Sequence, residues 1–110
     1  MALPKLIQTN DANFESDVLR TPHPAGVFLL SSWNGACKLM SPLVAEMAEA
    51  HGPDLKVAML DIDDNPVIPA TYRVRTLPTF LFFSNGDLVN RIDGACDRET
   101  LERAFEQLLL

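Results

Sequence analysis

The sequence predicts a single α/β domain over residues 1–110, with a central mixed sheet of about five strands and helices on both faces. Short apolar segments typical of buried strands alternate with segments whose apolar residues recur at helical spacing. An Asn-Gly pair between the last two strand-like segments indicates a hairpin at one edge of the sheet. The predicted element order is therefore β-α-β-α-β-α-β-β-α.

The first elements follow from short apolar segments separated by turn residues. Residues 3–8 are apolar enough for an edge strand, and Thr9 or Asn10 can N-cap a helix over residues 11–20. Residues 21–26 contain two prolines and a glycine, which predicts a turn. Residues 27–30 are uniformly apolar, as in a strand that is buried on both faces.

The middle of the chain predicts a long amphipathic helix over residues 37–51. We expect its apolar stripe to comprise Leu39, Leu43 and Met47, with Met40, Val44 and Ala48 beside it. Residues 56–62 then form the next strand. The acidic cluster that follows is best explained by helix N-capping and solvation, and it begins a short helix that ends near Tyr72.

The last third of the chain predicts a hairpin followed by a closing helix. Residues 79–83 and 88–93 are strand-like and flank the turn at residues 84–87, so the two strands are expected to be antiparallel. Asp97 is a suitable N-cap for a helix over residues 98–109.

Composition excludes several classes of function. The formal net charge of -6 argues against binding to nucleic acid or anionic lipid, which relies on clustered lysine and arginine. No apolar run approaches the roughly 18 residues of a membrane span, and the first residues lack a secretory pattern, so we expect a cytoplasmic protein. We take it to be a monomer, although the sequence does not determine the oligomeric state. Two cysteines and two histidines form no ligand cluster, so neither a metal nor another cofactor is expected.

One family explains these features together. The loop Trp33-Asn34-Gly35-Ala36-Cys37-Lys38, Pro42 five residues after the cysteine, and the run Arg75-Thr76-Leu77-Pro78-Thr79 resemble thioredoxin over essentially the whole chain. Thioredoxins carry a C-x-x-C loop in which the first thiolate attacks a disulfide and the second releases the product. The resemblance implies a thioredoxin fold with a degenerate loop, because Asn34 stands at the first cysteine position and Cys37 at the second.

The resemblance also implies a peptide-binding surface around Cys37. In the family, the proline equivalent to Pro78 forms a cis peptide bond that faces the active-site loop and leaves a backbone edge open to an extended substrate. The residues expected to bind such a substrate are Trp33, Gly35, Ala36, Leu77, Pro78 and Gly94.

Two departures indicate that the dithiol reaction has been lost. Phe28 stands where thioredoxins carry a buried aspartate, and Met59 stands where they carry a nearby lysine. A scaffold without the two-cysteine cycle has no use for a buried charge, and apolar replacements of similar size are often neutral or stabilising.

The state of Cys37 remains open from the sequence. It can be a buried relic, or it can be activated by the helix N-terminus and by Lys38, with Asn34 donating a hydrogen bond to the sulfur or to an incoming disulfide. Cys96 is expected to be a small buried residue at the start of the last helix rather than a disulfide partner of Cys37.

Two functional hypotheses follow. In the first, Cys37 forms mixed disulfides with glutathione or client proteins, and glutathione or a dithiol thioredoxin serves as the external reductant. In the second, the groove around Trp33 and Pro78 binds an extended protein segment without catalysis, as a chaperone-like or scaffold module. The sequence leaves open whether the protein is an enzyme, and it does not identify the client.

Overall fold

The computed structural model describes residues 6–110, which fold around one five-stranded sheet. The strands are β1 (Leu6–Gln8), β2 (Ala25–Leu30), β3 (Lys56–Asp61), β4 (Thr79–Ser84) and β5 (Asp87–Asp93), and the helices are α1 (Gly35–His51), α2 (Val67–Thr71) and α3 (Arg98–Leu108). The predicted first strand is thus confirmed over its last three residues, and residues 3–5 lie outside the described range.

The sheet has the order β1-β3-β2-β4-β5. The pairs β1–β3 and β2–β3 are parallel, whereas β2–β4 and β4–β5 are antiparallel. This topology confirms the predicted mixed sheet, with β1 and the β4–β5 hairpin at opposite edges.

Both faces of the sheet are covered, as the uniformly apolar strands require. Successive side chains of a strand point to opposite faces, so β2 and β4 each contribute to two core clusters. The cluster on the face of α1 and α3 includes Phe28, Leu30, Cys37, Met40, Val44, Phe80, Phe82, Leu101 and Phe105. The cluster on the other face includes Phe14, Val18, Val27, Leu29, Ile68, Leu81 and Phe83.

The helix predicted over residues 11–20 is wrong in extent. Only a π-helical segment, Glu15–Leu19, forms, after a turn in which the Asn13 N–H donates to Asn10 Oδ1 at 2.8 Å. The Asp11 carboxylate instead accepts the backbone N–H groups of Val67 and Ile68, each at 2.9 Å, at the start of α2. The residue that was expected to begin the helix therefore forms a tertiary contact with α2 instead.

The register of α1 corrects the predicted buried stripe. Met40, Val44 and Met47 face the sheet, as residues spaced by four and three positions should. Leu39 is rotated from Met40 by about 100° and is 79% exposed. Of the predicted stripe, Met47 is buried and Leu43 packs partly buried against the core, so the prediction is wrong only at Leu39.

Strand β2 begins at Ala25, inside the segment that was predicted to be a turn. Gly26 belongs in the strand because its missing side chain leaves space for Phe105 of α3. A Cβ atom at this position would lie 2.3 Å from the phenylalanine ring. The glycine therefore allows close packing of α3 on the sheet.

The hairpin prediction is confirmed. Ser84 pairs with Asp87, and both turn residues have positive φ angles, 53° at Asn85 and 83° at Gly86. This geometry is the reason that Asn-Gly marks tight hairpins. The predicted cap of α3 is also confirmed, since the Thr100 N–H donates to Asp97 Oδ1 at 2.8 Å.

Candidate functional site

One end of the sheet brings together the loop after β2, the segment before β4 and the segment after β5. Leu29 pairs with Thr79, and Thr79 pairs with Asp93, so the chain leaves β2 and β5, and enters β4, at the same end of the strands. Here α1 and α3 both begin. The structure thus places the predicted site residues at one end of the molecule.

Cys37 lies in the first turn of α1 and is buried, with only 1% of its surface exposed. It belongs to the apolar cluster that also contains Phe28 and Phe80. A sulfur enclosed in this way has no direct path to a disulfide in solution. Of the two interpretations of Cys37 from the sequence, the geometry of this conformation favours the shielded thiol.

Asn34 is the N-cap of α1. Its side-chain oxygen accepts the Cys37 N–H at 3.0 Å, which satisfies one of the free donors at the helix start. The cap starts the helix at Gly35, two residues earlier than predicted. Hydrogen bonding of Asn34 to a sulfur or an incoming disulfide stays a prediction.

Phe28 and Met59 make the core around Cys37 apolar. Phe28 is 2% exposed and stacks on Phe80, with ring centroids 5.2 Å apart and planes inclined by 14°. Met59 pairs with Phe28 in the adjacent strand and is partly buried against the same cluster. Stacked rings of this kind fill the space in which a lone carboxylate would lack a partner.

Trp33 is held in position by a residue that sequence reasoning missed. It is 71% exposed, yet its indole Nε1 donates to Asp63 Oδ1 at 3.3 Å. The other oxygen of Asp63 accepts the hydroxyl of Ser31, which is fully buried, at 2.7 Å. The available signal was the acidic cluster after β3, which was interpreted as solvated. One of its carboxylates instead joins β3 to the loop that carries Trp33.

Leu77 and Pro78 lie beside this loop at the start of β4. Leu77 packs partly buried against the cluster that contains Cys37, and its peptide bond to Pro78 is cis. The Gly94 N–H donates to the Pro78 carbonyl at 2.7 Å, which ties the segment after β5 to this site. The Pro78 side chain is buried, so at this residue only the neighbouring backbone can meet a ligand.

The backbone of Leu77 has free hydrogen-bonding groups. Within residues 6–110, neither its N–H nor its carbonyl takes part in a hydrogen bond. The residues on either side are engaged, since the carbonyl of Thr76 accepts the Thr79 hydroxyl at 2.5 Å and the carbonyl of Pro78 accepts Gly94. Leu77 thus presents one donor and one acceptor to an incoming backbone.

Cys96 is half-buried and packs against the cluster that contains Cys37, but both cysteines are free thiols. Burial, and to a smaller extent the neighbouring Asp97 carboxylate, raises the pKa of the Cys96 thiol. Cys96 was expected to be a buried residue at the start of the last helix, whereas it is only half-buried and lies just before the Asp97 cap of α3. A raised pKa leaves less of the nucleophilic thiolate near neutral pH.

Two further properties bear on the kind of site. Among the described residues, no helix is both long and apolar enough to cross a membrane. The same part of the chain contains no group of three or more side chains suited to hold a metal ion.

Comparisons with known proteins agree with the fold. The family model Thioredoxin matches residues 5–107. The chain is 34% identical to a thioredoxin of Porphyra purpurea and 37% identical to one of Pyropia yezoensis, each over 102 residues that cover 93% of this chain and 95% of the relative. It is 36% identical to a thioredoxin of Mycobacterium tuberculosis over 103 residues, which cover 94% of this chain and 89% of the relative. The chain therefore belongs to the thioredoxin family of redox proteins.

Proposed function

We propose that this protein binds an extended segment of a client protein along the groove formed by Trp33 and the Leu77–Pro78 segment. The observation that carries the proposal is the free backbone of Leu77, which lies at the same end of the sheet as an exposed, fixed tryptophan. An extended peptide can pair with such a backbone segment through main-chain hydrogen bonds, while neighbouring side chains provide specificity.

Trp33 supplies the apolar contact that backbone pairing lacks. Large exposed aromatic side chains are frequent anchors in interfaces, and Trp33 is 71% exposed. Its hydrogen bond to Asp63 restricts the side chain before the ligand arrives. This restriction lowers the conformational entropy that the side chain would lose on binding, so Trp33 is preorganised for contact with a ligand.

The burial of Cys37 is the reason to place binding before catalysis. A mixed disulfide forms only when a thiolate sulfur reaches a disulfide sulfur of the substrate. With 1% of the residue exposed, Cys37 does not meet that condition in this conformation. Binding at Leu77 and Trp33 requires no such opening.

Thiol exchange by Cys37 is the second candidate, and its position in the first turn of α1 supports it. A helix N-terminus stabilises a thiolate, and the relatives are named thioredoxins. In this reaction the Cys37 thiolate attacks a client or glutathione disulfide, forms the mixed disulfide and expels the other sulfur as a thiolate. An external thiol then attacks the mixed disulfide and restores Cys37.

The test uses a short fluorescent peptide that alternates valine and glutamine, and the same peptide with methylated backbone nitrogens. We expect the unmodified peptide to bind and the methylated one to bind at least tenfold more weakly, because methylation removes the donors for Leu77. Trp33→Ala should weaken binding. The control Val89→Ala changes an exposed apolar residue on β5, away from the groove residues, and should leave binding unchanged. Equal binding of both peptides would contradict the proposal.

Cys37→Ser separates the two candidates. Retained peptide binding in this variant supports the binding module. Rapid addition of glutathione to Cys37 of the folded protein, together with loss of client capture in Cys37→Ser, would support thiol exchange instead. Intact mass after timed exposure to oxidised glutathione, with Cys96→Ser alongside, identifies the cysteine that reacts.

A further inference from the structure

The basic residues of this acidic protein fall into two groups. The sequence has nine lysines and arginines, and one of them, Lys5, lies outside the described residues. Four of the other eight form ion pairs, namely Arg20, Arg91, Arg98 and Arg103. The amine of Lys56 donates to the backbone carbonyl of Asp17 at 2.9 Å.

The remaining three cations have no ion-pair or hydrogen-bond partner for their side chains within residues 6–110, and all three lie close in sequence to residues of the proposed groove. Lys38 follows Cys37 directly, and Arg73 and Arg75 precede Leu77. Each of the three is exposed. The Cα atom of Arg75 lies within about 7 Å of that of Leu77, and that of Arg73 within about 14 Å, since even an extended chain spans no more than about 3.6 Å per residue.

Most carboxylates at this end of the molecule already have partners. Asp63 accepts hydrogen bonds from Ser31 and Trp33, and Asp93 forms an ion pair with Arg91 at 2.8 Å. Asp97 caps α3, and hydrogen bonding to Thr100 lowers the pKa of its carboxyl group. Asp64 is the exposed carboxylate here without a partner in the described structure. The three cations at the groove are therefore available to a ligand.

We infer that the client segment bound in this groove is acidic, with carboxylate side chains that pair with Lys38, Arg73 and Arg75. The inference rests on the proposed function, which supplies the extended backbone next to Leu77. A strand that pairs with Leu77 projects alternate side chains toward the same face, so acidic residues at every second position would reach the cations. The chain as a whole carries a net charge of -6, so the rest of its surface repels such a ligand, which directs it to this groove.

The expected preference for an acidic peptide follows from the contribution of exposed ion pairs to binding affinity. Each such pair contributes about 1.4- to 5-fold in affinity at moderate salt. Three pairs give a preference of roughly 3- to 100-fold for an acidic peptide over its neutral counterpart. Because the Debye length is about 10 Å at 0.1 M salt and about 3 Å at 1 M, the preference should largely vanish in concentrated salt.

The test compares the valine-glutamine peptide with the same peptide carrying glutamate at each glutamine. We expect the glutamate peptide to bind at least threefold more tightly to the wild-type protein at low salt. The triple variant K38Q/R73Q/R75Q should bind both peptides equally. The control R20Q/R98Q/R103Q loses the same total charge from cations that are paired elsewhere, and it should keep at least half of the preference.

The two proposals fail in different ways. If the neutral peptide binds at Leu77 and the glutamate peptide binds no more tightly, the groove is a binding site but the inference of an acidic client is wrong. A preference that falls equally in the two triple variants would also overturn it, because net charge alone would then explain the effect. If neither peptide binds, both the proposed function and this inference are overturned.

Discussion

Replacing Asp63 with alanine removes the two side-chain hydrogen bonds that tie this residue to the loop before α1. The buried Ser31 hydroxyl loses its acceptor at 2.7 Å, and the Trp33 indole loses its acceptor at 3.3 Å. A hydrogen bond to a charged group contributes about 1.5–3 kcal/mol, and the exposed indole bond adds about 0.5 kcal/mol. We therefore expect Asp63→Ala to lower the free energy of unfolding by about 2–3.5 kcal/mol.

The assay is urea unfolding, with Asp64→Ala as the matched control. Asp64 is the next residue, is also exposed and has no partner in the described structure, so its replacement should change stability by less than about 0.5 kcal/mol. For a chain of 110 residues, a loss of 2 kcal/mol lowers the melting temperature by roughly 8 °C. Ser31→Ala combined with Asp63→Ala should show a coupling energy of at least about 1 kcal/mol.

A second readout reports on the groove itself. Trp33 is the only tryptophan in the chain, so its fluorescence anisotropy follows the mobility of this one side chain. We expect the anisotropy of the folded protein to fall in Asp63→Ala and to stay unchanged in Asp64→Ala. Equal stability and equal anisotropy of the two variants would refute the assignment of Asp63 as the residue that positions Trp33.

The remaining predictions concern packing, thiol reactivity and pH. Gly26→Ala should destabilise the fold by about 1–3 kcal/mol, because the added methyl group collides with a phenylalanine ring of α3. Gly35→Ala is the control and should leave the stability unchanged, because no atom lies within 4 Å of the added methyl group. Equal losses of stability in the two variants would contradict the packing argument. In the folded protein at pH 8, iodoacetamide should modify Cys96 slowly, because burial raises the pKa of its thiol. Cys37 is buried and should stay unmodified until urea unfolds the chain. Mass spectrometry measures the modification of both cysteines. Hydrogen bonds to Thr100 in the first turn of α3 lower the pKa of Asp97 in the folded protein. The stabilisation that they provide is therefore fully present above the pKa of Asp97 in the unfolded chain, and it is lost as the pH falls through the pKa of Asp97 in the folded protein. Unfolding curves of wild type and Asp97→Ala should therefore differ at neutral pH and converge in acid, and a constant difference would contradict this.

Several elements were predictable because their causes are local. Asn85 and Gly86 accept the positive φ angles of a tight turn, so two residues determine the hairpin. Asp97 caps α3 through a hydrogen bond three residues along the chain. The strands were found from runs of apolar residues. Pairing with a neighbouring strand extends β2, β4 and β5 by one or two residues beyond the prediction, whereas β3 ends one residue earlier.

The errors have causes that lie far away in the sequence. Asp11 binds the start of α2, more than fifty residues later, and the predicted helix after it is reduced to Glu15–Leu19. Leu39 lies on the exposed side of α1, although it was assigned to the same stripe as Leu43, which is partly buried, and Met47, which is buried. Spacing identifies a helix, but only the position of the sheet decides which of its apolar side chains are buried.

The candidate site shows the same division. The sequence alone determined the family, the position of Cys37 at the start of a helix and the apolar replacements at Phe28 and Met59, because each depends on residue type at a fixed spacing. Only the tertiary structure decided that Cys37 is buried, that Asp63 holds Trp33 and that the Leu77 backbone is free. Burial and hydrogen-bond pairing depend on which distant segments meet at this end of the sheet, and no local pattern encodes that meeting.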